Sequence, residues 1–217
     1  MLLVGSANAK KLGEIAAILD GIPVEIVGSG MLPSGQEIAE TGETFSENVQ
    51  IKAREYARRA AALPSGPIPR WIIADDSGLC VDRLGGAPGV FSARYAGVHA
   101  SDSDNIDKLL EALAGVPEAE RQAHFVCVIA CARVPKDPSG SPQILFEVEG
   151  TCEGTIAESP RGKGGFGYDP VFVERTTGNT FGEIAPAEKN RLSHRGDALR
   201  KFRNRFVELL ENEPGTR

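Results

Sequence analysis

The chain has 217 residues, of which 41% are hydrophobic and 25% are charged, so it can bury one full core as an ordinary globular protein. Its formal net charge of −6 argues against a general nucleic-acid-binding protein, because such proteins carry a basic face. An acidic chain can still bind a small anion in a locally positive pocket.

The cysteines and the N-terminal stretch indicate a cytoplasmic protein. The four cysteines form neither a CxxC pair nor a Cys/His cluster at zinc spacing, so we expect reduced, buried thiols. The apolar stretch at the start, MLLVGSANAKK, is too short for a signal peptide, and its lysines follow the apolar residues. No segment approaches the length of a membrane span, so we expect no membrane partner.

The first third of the chain predicts two strands and two helices. MLLVGS is a short buried strand, and the helix that follows it ends at Gly21. Apolar residues of that helix recur at i, i+3, i+4 and i+7, namely Leu12, Ile15, Ala16 and Leu19. A second helix begins near Thr44, which has capping-box spacing to Glu47. After the linker LPSGPIPR come the strand WIIA and the turn DDSG.

The rest of the chain alternates loops, strands and helices. A glycine-rich loop, LGGAPGVFSARYAG, precedes the helix SDSDNIDKLLEALAGV. AHFVCVIACARV and QILFEVEGTCEGTI flank PKDPSGSP and predict a long β-hairpin. SPRGKGGFGYDPVFV is a second glycine-rich loop that enters a strand, and one or two helices follow it. The pattern predicts a single α/β domain, residues 1–217, with a mixed central sheet flanked by helices.

Two adjacent acids, Asp75 and Asp76, follow the strand WIIA, and the local sequence leaves their role open. DDSG consists of turn formers and is explained by a simple loop. In α/β proteins, however, sites are built at strand ends. If the strand persists, neighbouring side chains point in different directions, so one acid would face a cleft while the other anchors the loop.

The stretch SANAKK, residues 6–11, joins the first strand to the first helix. It presents a hydroxyl, an amide, backbone N–H groups and two lysines at a helix N-terminus, which suits an anion such as phosphate. The P-loop spacing is absent, and an ordinary capped turn is the alternative.

Cations at two further places do not fit their local structure. Lys52 lies inside the apolar stripe of its helix, so it either extends its charge to water or points into a pocket that requires a cation. If Ser193 caps the last helix, His194 and Arg195 occupy its first turn, where they oppose the helix dipole. Lys189 lies just upstream of them. Carboxylates together with lysines suit Mg²⁺ and a polyphosphate.

Six motifs in this order resemble the inosine triphosphate pyrophosphatase family. They are SANAKK, ETGETFSENVQIKA, IADDSGL, LGGAPGVFSARYAG, GGFGYDPVF and AEKNRLSHRG, and the resemblance runs from residue 2 to about residue 205. It implies a mixed α/β fold with two lobes and a cleft between them, and a homodimer. The implied reaction is Mg²⁺-dependent hydrolysis of ITP, dITP or XTP to the monophosphate and pyrophosphate.

The same resemblance implies roles for individual residues. Asp76 resembles the acid that activates water and, with Glu40, holds the metal. The substrate-binding residues that it implies are Ser6, Ala7, Asn8, Ala9, Lys10, Lys11, Lys52, Ser77, Phe166, Gly167, Tyr168, Asp169, Lys189, His194 and Arg195. The chain departs from the family at Ala7, where many members have glycine, so the geometry of that turn stays open.

Three other functions remain as alternatives at this point. One is a pyrophosphatase for pyrimidine or otherwise modified nucleotides, and another is a phosphatase that releases orthophosphate. The third is a regulatory protein that binds the nucleotide without hydrolysing it.

Overall fold

The computed structural model describes residues 1–6, 9–33 and 35–212, and these form a mixed α/β fold, as predicted. The strands are β1 (Leu2–Val4), β2 (Ile26–Gly28), β3 (Trp71–Val81), β4 (Gln122–Arg133), β5 (Gln143–Ile156) and β6 (Phe172–Glu174). The helices are α1 (Ala9–Ile18), α2 (Phe45–Ala61), α3 (Asp102–Ala112), α4 (Pro186–Leu192) and α5 (His194–Asn212). None of the described helices is long and apolar enough to cross a membrane.

Within the described residues, six strands form one sheet in the order β2-β1-β3-β4-β5-β6. Strand β1 pairs in parallel with both β2 and β3, with Leu2 opposite Ile26 on one side and Trp71 on the other. Strands β5 and β6 are antiparallel, so the sheet is mixed. β4 and β5 are neighbours in the sheet, as the predicted hairpin requires.

Strand β3 does not stop at the two acids. Asp75, Asp76, Ser77 and Gly78 all lie inside it, so the predicted DDSG turn is wrong. The tendency of these residues to form a turn is local, whereas β3 continues because residues beyond them, such as the fully buried Leu79, belong to the core. The two acids therefore sit on consecutive positions of a buried strand.

Helix α1 buries a narrower face than the sequence predicts. Ile15 and Leu19 are buried and Leu12 is half-buried, but Ala16 is exposed, so that part of the predicted stripe is wrong. Ile15 and Leu19, four residues apart, reach the core, whereas a broader apolar stripe would also have buried Ala16. The helix ends at Ile18, and Gly21 reverses the chain with a φ of +77°.

Helix α2 begins with the predicted capping box. The Thr44 hydroxyl accepts a hydrogen bond from the backbone N–H of Glu47, and the Glu47 carboxylate accepts one from the N–H of Thr44. Both bonds satisfy donors that a helix N-terminus otherwise leaves without partners. Alanine makes up most of the buried face of α2, whose members are Asn48, Val49, Ala53, Ala57, Ala60 and Ala61.

The chain divides into two compact units. The first comprises the described parts of Met1–Asp76, Val128–Glu149 and Ala198–Arg217, and the second Ser77–Cys127 and Gly150–Asp197. In the first unit, Phe206 of α5 packs edge-on against Trp71 of β3, with ring centroids 5.4 Å apart. The core of the second is built around Phe125, Phe172 and Phe181. The cleft that the resemblance implies stays a prediction.

All four cysteines are free thiols, as predicted. Cys127, Cys131 and Cys152 are buried, as predicted, whereas Cys80 is partly exposed, so the predicted burial is wrong for this residue. Burial is the main cause that raises the pKa of Cys152 to about 12, so this thiol stays protonated at neutral pH.

The capping box gives a first test of the fold. Replacing Thr44 with alanine removes the acceptor for the Glu47 N–H, so we expect the free energy of unfolding to fall by about 1 kcal/mol. Thr44→Ser keeps the hydroxyl and serves as the matched control, with a loss of only a few tenths. Urea unfolding measures both variants, and equal midpoints for alanine and serine would show that the cap contributes nothing.

Candidate active site

Five of the acids and lysines singled out in the sequence lie together in the first unit. We call Lys11, Glu40, Lys52, Asp75 and Asp76 the carboxylate–lysine cluster. Helix α1 supplies Lys11, α2 supplies Lys52, and β3 supplies both aspartates. Glu40 lies in the segment that precedes α2.

The Lys52 ammonium joins two carboxylates of this cluster. Its Nζ atom donates to Asp76 Oδ1 at 2.8 Å and to Glu40 Oε1 at 3.2 Å. The side chain of Lys52 is only 12% exposed, so of the two alternatives left by the sequence it takes the polar pocket rather than the solvent. Lys52 is thus the cation of a partly buried ion-pair network.

Asp75 has a different partner. Its Oδ2 atom accepts a hydrogen bond from Lys11 Nζ at 2.8 Å, and its side chain is 3% exposed. The two adjacent acids therefore have different hydrogen-bond partners, whereas the predicted difference in the directions of their side chains stays a prediction. Asp75 holds Lys11, whereas Asp76 holds Lys52.

The electrostatics of the cluster centre on Asp76. Burial raises the pKa of the Asp76 carboxyl, and although the Lys52 charge lowers it, the net shift is above the ordinary value. For Lys52, burial by itself lowers the pKa, but the charges of Asp76, Asp75 and Glu40 outweigh it and raise the net value. Lys52 therefore stays protonated, and Asp76 is a stronger base than an exposed aspartate.

One oxygen of Asp76 has a second notable property. Oδ2 is buried and has no hydrogen-bond partner among the described residues, while Oδ1 is held by Lys52. A buried carboxylate oxygen without a partner is costly and therefore uncommon. It is also the hard oxygen ligand that Mg²⁺ prefers. No group of three or more His, Cys, Asp or Glu side chains among the described residues could hold a metal by itself.

The turn before α1 is described only in part. Ser6 donates its N–H to the Val4 carbonyl, and its own carbonyl accepts a hydrogen bond from the Ser29 hydroxyl at 2.8 Å. Ala7 and Asn8 lie outside the described residues, and Ala9 and Lys10 are described only as part of the α1 backbone. The phosphate-binding role of residues 6–11 stays a prediction.

A second cluster lies in the second unit. We call Phe166, Asp169, Lys189 and Arg195 the aromatic–cation cluster. Asp169 Oδ2 accepts hydrogen bonds from the Phe166 N–H and from Lys189 Nζ, both at 2.7 Å. Lys189 Nζ lies 4.8 Å from the centroid of the Phe166 ring, and Arg195 Cζ lies 5.5 Å from it, both within cation–π distance. Arg195 also donates to the Ser77 hydroxyl at 3.4 Å.

Three other predicted residues of this unit also support its fold. The buried His194 ring stacks on Phe125 with centroids 4.5 Å apart. The Tyr168 hydroxyl donates to the Ser92 carbonyl at 2.9 Å, and burial raises the pKa of this phenol. The backbone N–H of Gly167 donates to Asp102 Oδ2 at 2.7 Å. Any contact of these residues with a ligand stays a prediction.

The last helix starts as the sequence predicts. Ser193 precedes α5, and its hydroxyl accepts a hydrogen bond from the Gly196 N–H at 3.1 Å. His194 and Arg195 are therefore in the first turn, where two potential cations are unfavourable to the helix dipole. Their position is consistent with a role outside helix stability.

Gly165 is a positioning residue that the sequence did not single out. It has a φ of +75°, and a Cβ atom built on it would lie 1.9 Å from Asp169 Oδ2. The glycine therefore leaves the space in which Asp169 reaches the Phe166 N–H and Lys189. The double glycine of KGGFGYD was the only available signal in the sequence.

Comparison with known proteins agrees with this architecture. A structure of a HAM1 protein from Coxiella burnetii superposes with a TM-score of 0.79 at 40% identity, covering 95% of this chain and 98% of that one. The Ham1 family model matches residues 2–205, and the chain belongs to the Ham1 family. The family predicted from the six motifs is thereby confirmed.

Curated relatives are similar over nearly their whole length. A dITP/XTP pyrophosphatase from Geobacillus kaustophilus is 46% identical over 96% of this chain and 95% of the relative. One from Xanthomonas oryzae pv. oryzae is 48% identical over 96% of this chain and 98% of the relative.

Two neighbouring glycines allow the role of Gly165 to be isolated. Gly167 has a φ of +59°, but a Cβ atom added to it would meet no atom within 4 Å, so Gly167→Ala measures backbone strain alone, about 1–2 kcal/mol. Gly165→Ala adds the displacement of Asp169, and we expect a further loss of about 1–3 kcal/mol in unfolding free energy. Denaturant unfolding compares the two, and equal losses would exclude a steric role for Gly165.

Proposed function

We propose that this chain hydrolyses the non-standard purine nucleoside triphosphates dITP, XTP and ITP to the monophosphate and pyrophosphate, and so removes them from the nucleotide pool. The names of the relatives from Geobacillus kaustophilus and Xanthomonas oryzae support the substrate class. The observation that carries the chemistry is Asp76: it is buried, its pKa is raised, and one of its two oxygens is held by Lys52 while the other has no hydrogen-bond partner among the described residues.

Glu40 and Asp76 are the residues that would hold Mg²⁺. Two carboxylates are sufficient, because Mg²⁺ is usually shared between one or two protein carboxylates and the phosphates of the substrate. The available Oδ2 atom of Asp76 fits this requirement. When bound, the ion supplies positive charge that stabilises the triphosphate and the charge that develops on it during the reaction.

We assign the triphosphate to the lysines and to the turn before α1. Lys11 and Lys52 provide two positive charges, and the start of α1 provides backbone N–H groups, which together suit a phosphate. Positioning and electrostatic stabilisation account for most of the catalysis in phosphoryl chemistry. The lysines therefore contribute by fixing the phosphates relative to Asp76.

Asp76 acts as the general base in this proposal. It accepts a proton from a water molecule whose oxygen attacks the α-phosphorus. The bond between the α-phosphorus and the bridging oxygen breaks, and that oxygen leaves with pyrophosphate. A carboxylate whose pKa is raised by burial is better suited to accept this proton than an ordinary aspartate.

We assign the base to the aromatic–cation cluster. Phe166 offers a face on which any purine can stack, which adds affinity rather than selectivity. Lys189, His194 and Arg195 are donors that suit the 6-oxo group of hypoxanthine and xanthine, whereas the 6-amino group of adenine would face them as another donor. Sites that rely on such hydrogen bonds discriminate by about 10⁴-fold or more. Guanine also has a 6-oxo group, so its rejection must depend on the 2-position.

The setting of the enzyme is also part of the proposal. Four free thiols support a reducing compartment, the cytoplasm, and the net charge of −6 supports a small-molecule substrate rather than nucleic acid. We further propose a homodimer, on the resemblance to the family alone. Light scattering on the eluting protein measures the mass, and a monomer at working concentration would exclude the dimer.

The reaction is tested by product analysis. The purified protein is incubated with Mg²⁺ and dITP, ITP, XTP, ATP or GTP, and the products are identified. We expect monophosphate and pyrophosphate from the first three and little from ATP or GTP. Equal turnover of all five nucleotides would support a pyrophosphatase but contradict the proposed recognition of the base. Orthophosphate as the primary product, or binding without turnover, would overturn the proposed reaction.

The role of Asp76 is tested by Asp76→Asn, which removes the base and one metal ligand while keeping the shape of the side chain. We expect kcat to fall by about 10²-fold or more. Asp82→Asn is the control, since Asp82 follows β3 directly but its side chain is 63% exposed. A kcat for Asp76→Asn near that of the control would remove Asp76 from the mechanism.

A further inference from the structure

The Lys52 ammonium lies between the two carboxylates that we assign to the metal. It is within hydrogen-bond distance of Asp76 Oδ1 and Glu40 Oε1, at 2.8 Å and 3.2 Å. A single cation therefore bridges this pair of acids. A divalent metal held by the same two acids would bring two further positive charges next to that ammonium, which like-charge repulsion opposes.

The cluster as a whole has little positive charge to offer a triphosphate while Lys52 is engaged. It contains two lysines and three carboxylates, so its net charge is −1 when all five groups are ionised. Lys11 is hydrogen-bonded to Asp75 and Lys52 to the other two acids. Two of the three N–H groups of the Lys52 ammonium are thus used by carboxylates, and its positive charge is shared between them rather than directed at a phosphate.

We propose that Lys52 is a resident cation that the divalent metal displaces: its ammonium neutralises Glu40 and Asp76 until the metal binds, and then moves to a phosphate of the nucleotide. The inference rests on the proposed function only for the assignment of the metal to Glu40 and Asp76. Lys52 is anchored in the middle of α2, and its four-carbon side chain gives the ammonium several ångströms of reach without movement of the helix.

The displacement couples metal binding to phosphate binding. Loading the metal both adds its own charge to the site and frees a protonated ammonium for the triphosphate. By linkage, a nucleotide that holds the freed Lys52 must tighten metal binding by the same factor. The site therefore favours the nucleotide and the metal together over either one alone.

The chain offers a matched control in Lys11. This lysine has the same charge and lies in the same cluster, but its hydrogen bond goes to Asp75 rather than to a proposed metal ligand. Lys11→Met therefore removes a neighbouring positive charge without vacating the position between Glu40 and Asp76. Lys52→Met removes the competing ammonium itself, and Lys52→Arg retains the charge.

The first experiment measures metal affinity in the absence of nucleotide. Mn²⁺, which takes the same oxygen ligands as Mg²⁺, is titrated into each chelator-treated variant and the free ion is followed by electron paramagnetic resonance. We expect Lys52→Met to bind Mn²⁺ about 10-fold or more tightly than the unaltered protein, because the closest competing charge is gone. Lys11→Met should change the affinity by about 3-fold or less, and Lys52→Arg should not tighten it.

The opposite pattern overturns the inference. If Lys52→Met binds Mn²⁺ no more tightly than Lys11→Met does, the ammonium does not compete with the metal. Weaker binding by Lys52→Met than by the unaltered protein would overturn it as well, because Lys52 would then support the metal site.

A second measurement does not depend on the folding of Lys52→Met. The unaltered protein with ¹⁵N-labelled lysine side chains is titrated with Mg²⁺, and the ammonium signal of Lys52 is assigned by its loss in Lys52→Arg. We expect this signal to shift on metal binding, while the Lys11 signal changes less. A Lys52 signal that stays unchanged while Mg²⁺ saturates the site shows that the ammonium is not displaced.

These results are separable from the proposed function. Tighter Mn²⁺ binding by Lys52→Met in a protein that releases no pyrophosphate would support the displacement and exclude the proposed reaction. Pyrophosphate release from dITP together with unchanged Mn²⁺ affinity in Lys52→Met would support the reaction and exclude the displacement.

Discussion

The buried ion pair between Lys52 and Asp76 is the interaction on which the candidate site depends. An ionised carboxylate is strongly unfavourable on a strand most of whose residues are buried, unless a cation accompanies it. Lys52 supplies that cation at 2.8 Å, from the interior of α2. The ion pair therefore ties α2 to β3, in addition to the core packing that carries β3 through to Leu79.

Two acids that the sequence places side by side on β3 have different lysine partners. Asp75 receives Lys11 from α1, and Asp76 receives Lys52 from α2. Because α1 and α2 contribute one lysine each, the two ion pairs also tie both helices to the central strand. A turn at this place would have left the direction of both carboxylates undefined, whereas a strand fixes them by its geometry.

Local signals in the sequence predicted local structure well. The capping box of Thr44, the cap by Ser193 and the β4–β5 pair were all predicted, because each depends on residues close in the chain. The DDSG turn was wrong for the same reason: its residues favour a turn locally, but distant lysines and the core beyond Leu79 decide the outcome. The sequence left two alternatives for Lys52, because its partners lie 12 and 24 residues away. The residue types by themselves indicated a metal and a polyphosphate, whereas the substrate and the roles of most individual residues were predicted through the resemblance to a family.

Two effects act in opposite directions on the pKa of Asp76: burial raises it, and the nearby Lys52 ammonium lowers it. A base must be ready to accept a proton, which burial favours, but a close ammonium opposes protonation. If the ammonium moves to a phosphate when a metal binds, Asp76 exchanges one positive neighbour for another and is never left as an isolated buried charge. The same movement gives the triphosphate a cation that the carboxylates had held. A chain with a net charge of −6 can in this way assemble a positive site only when the metal is present.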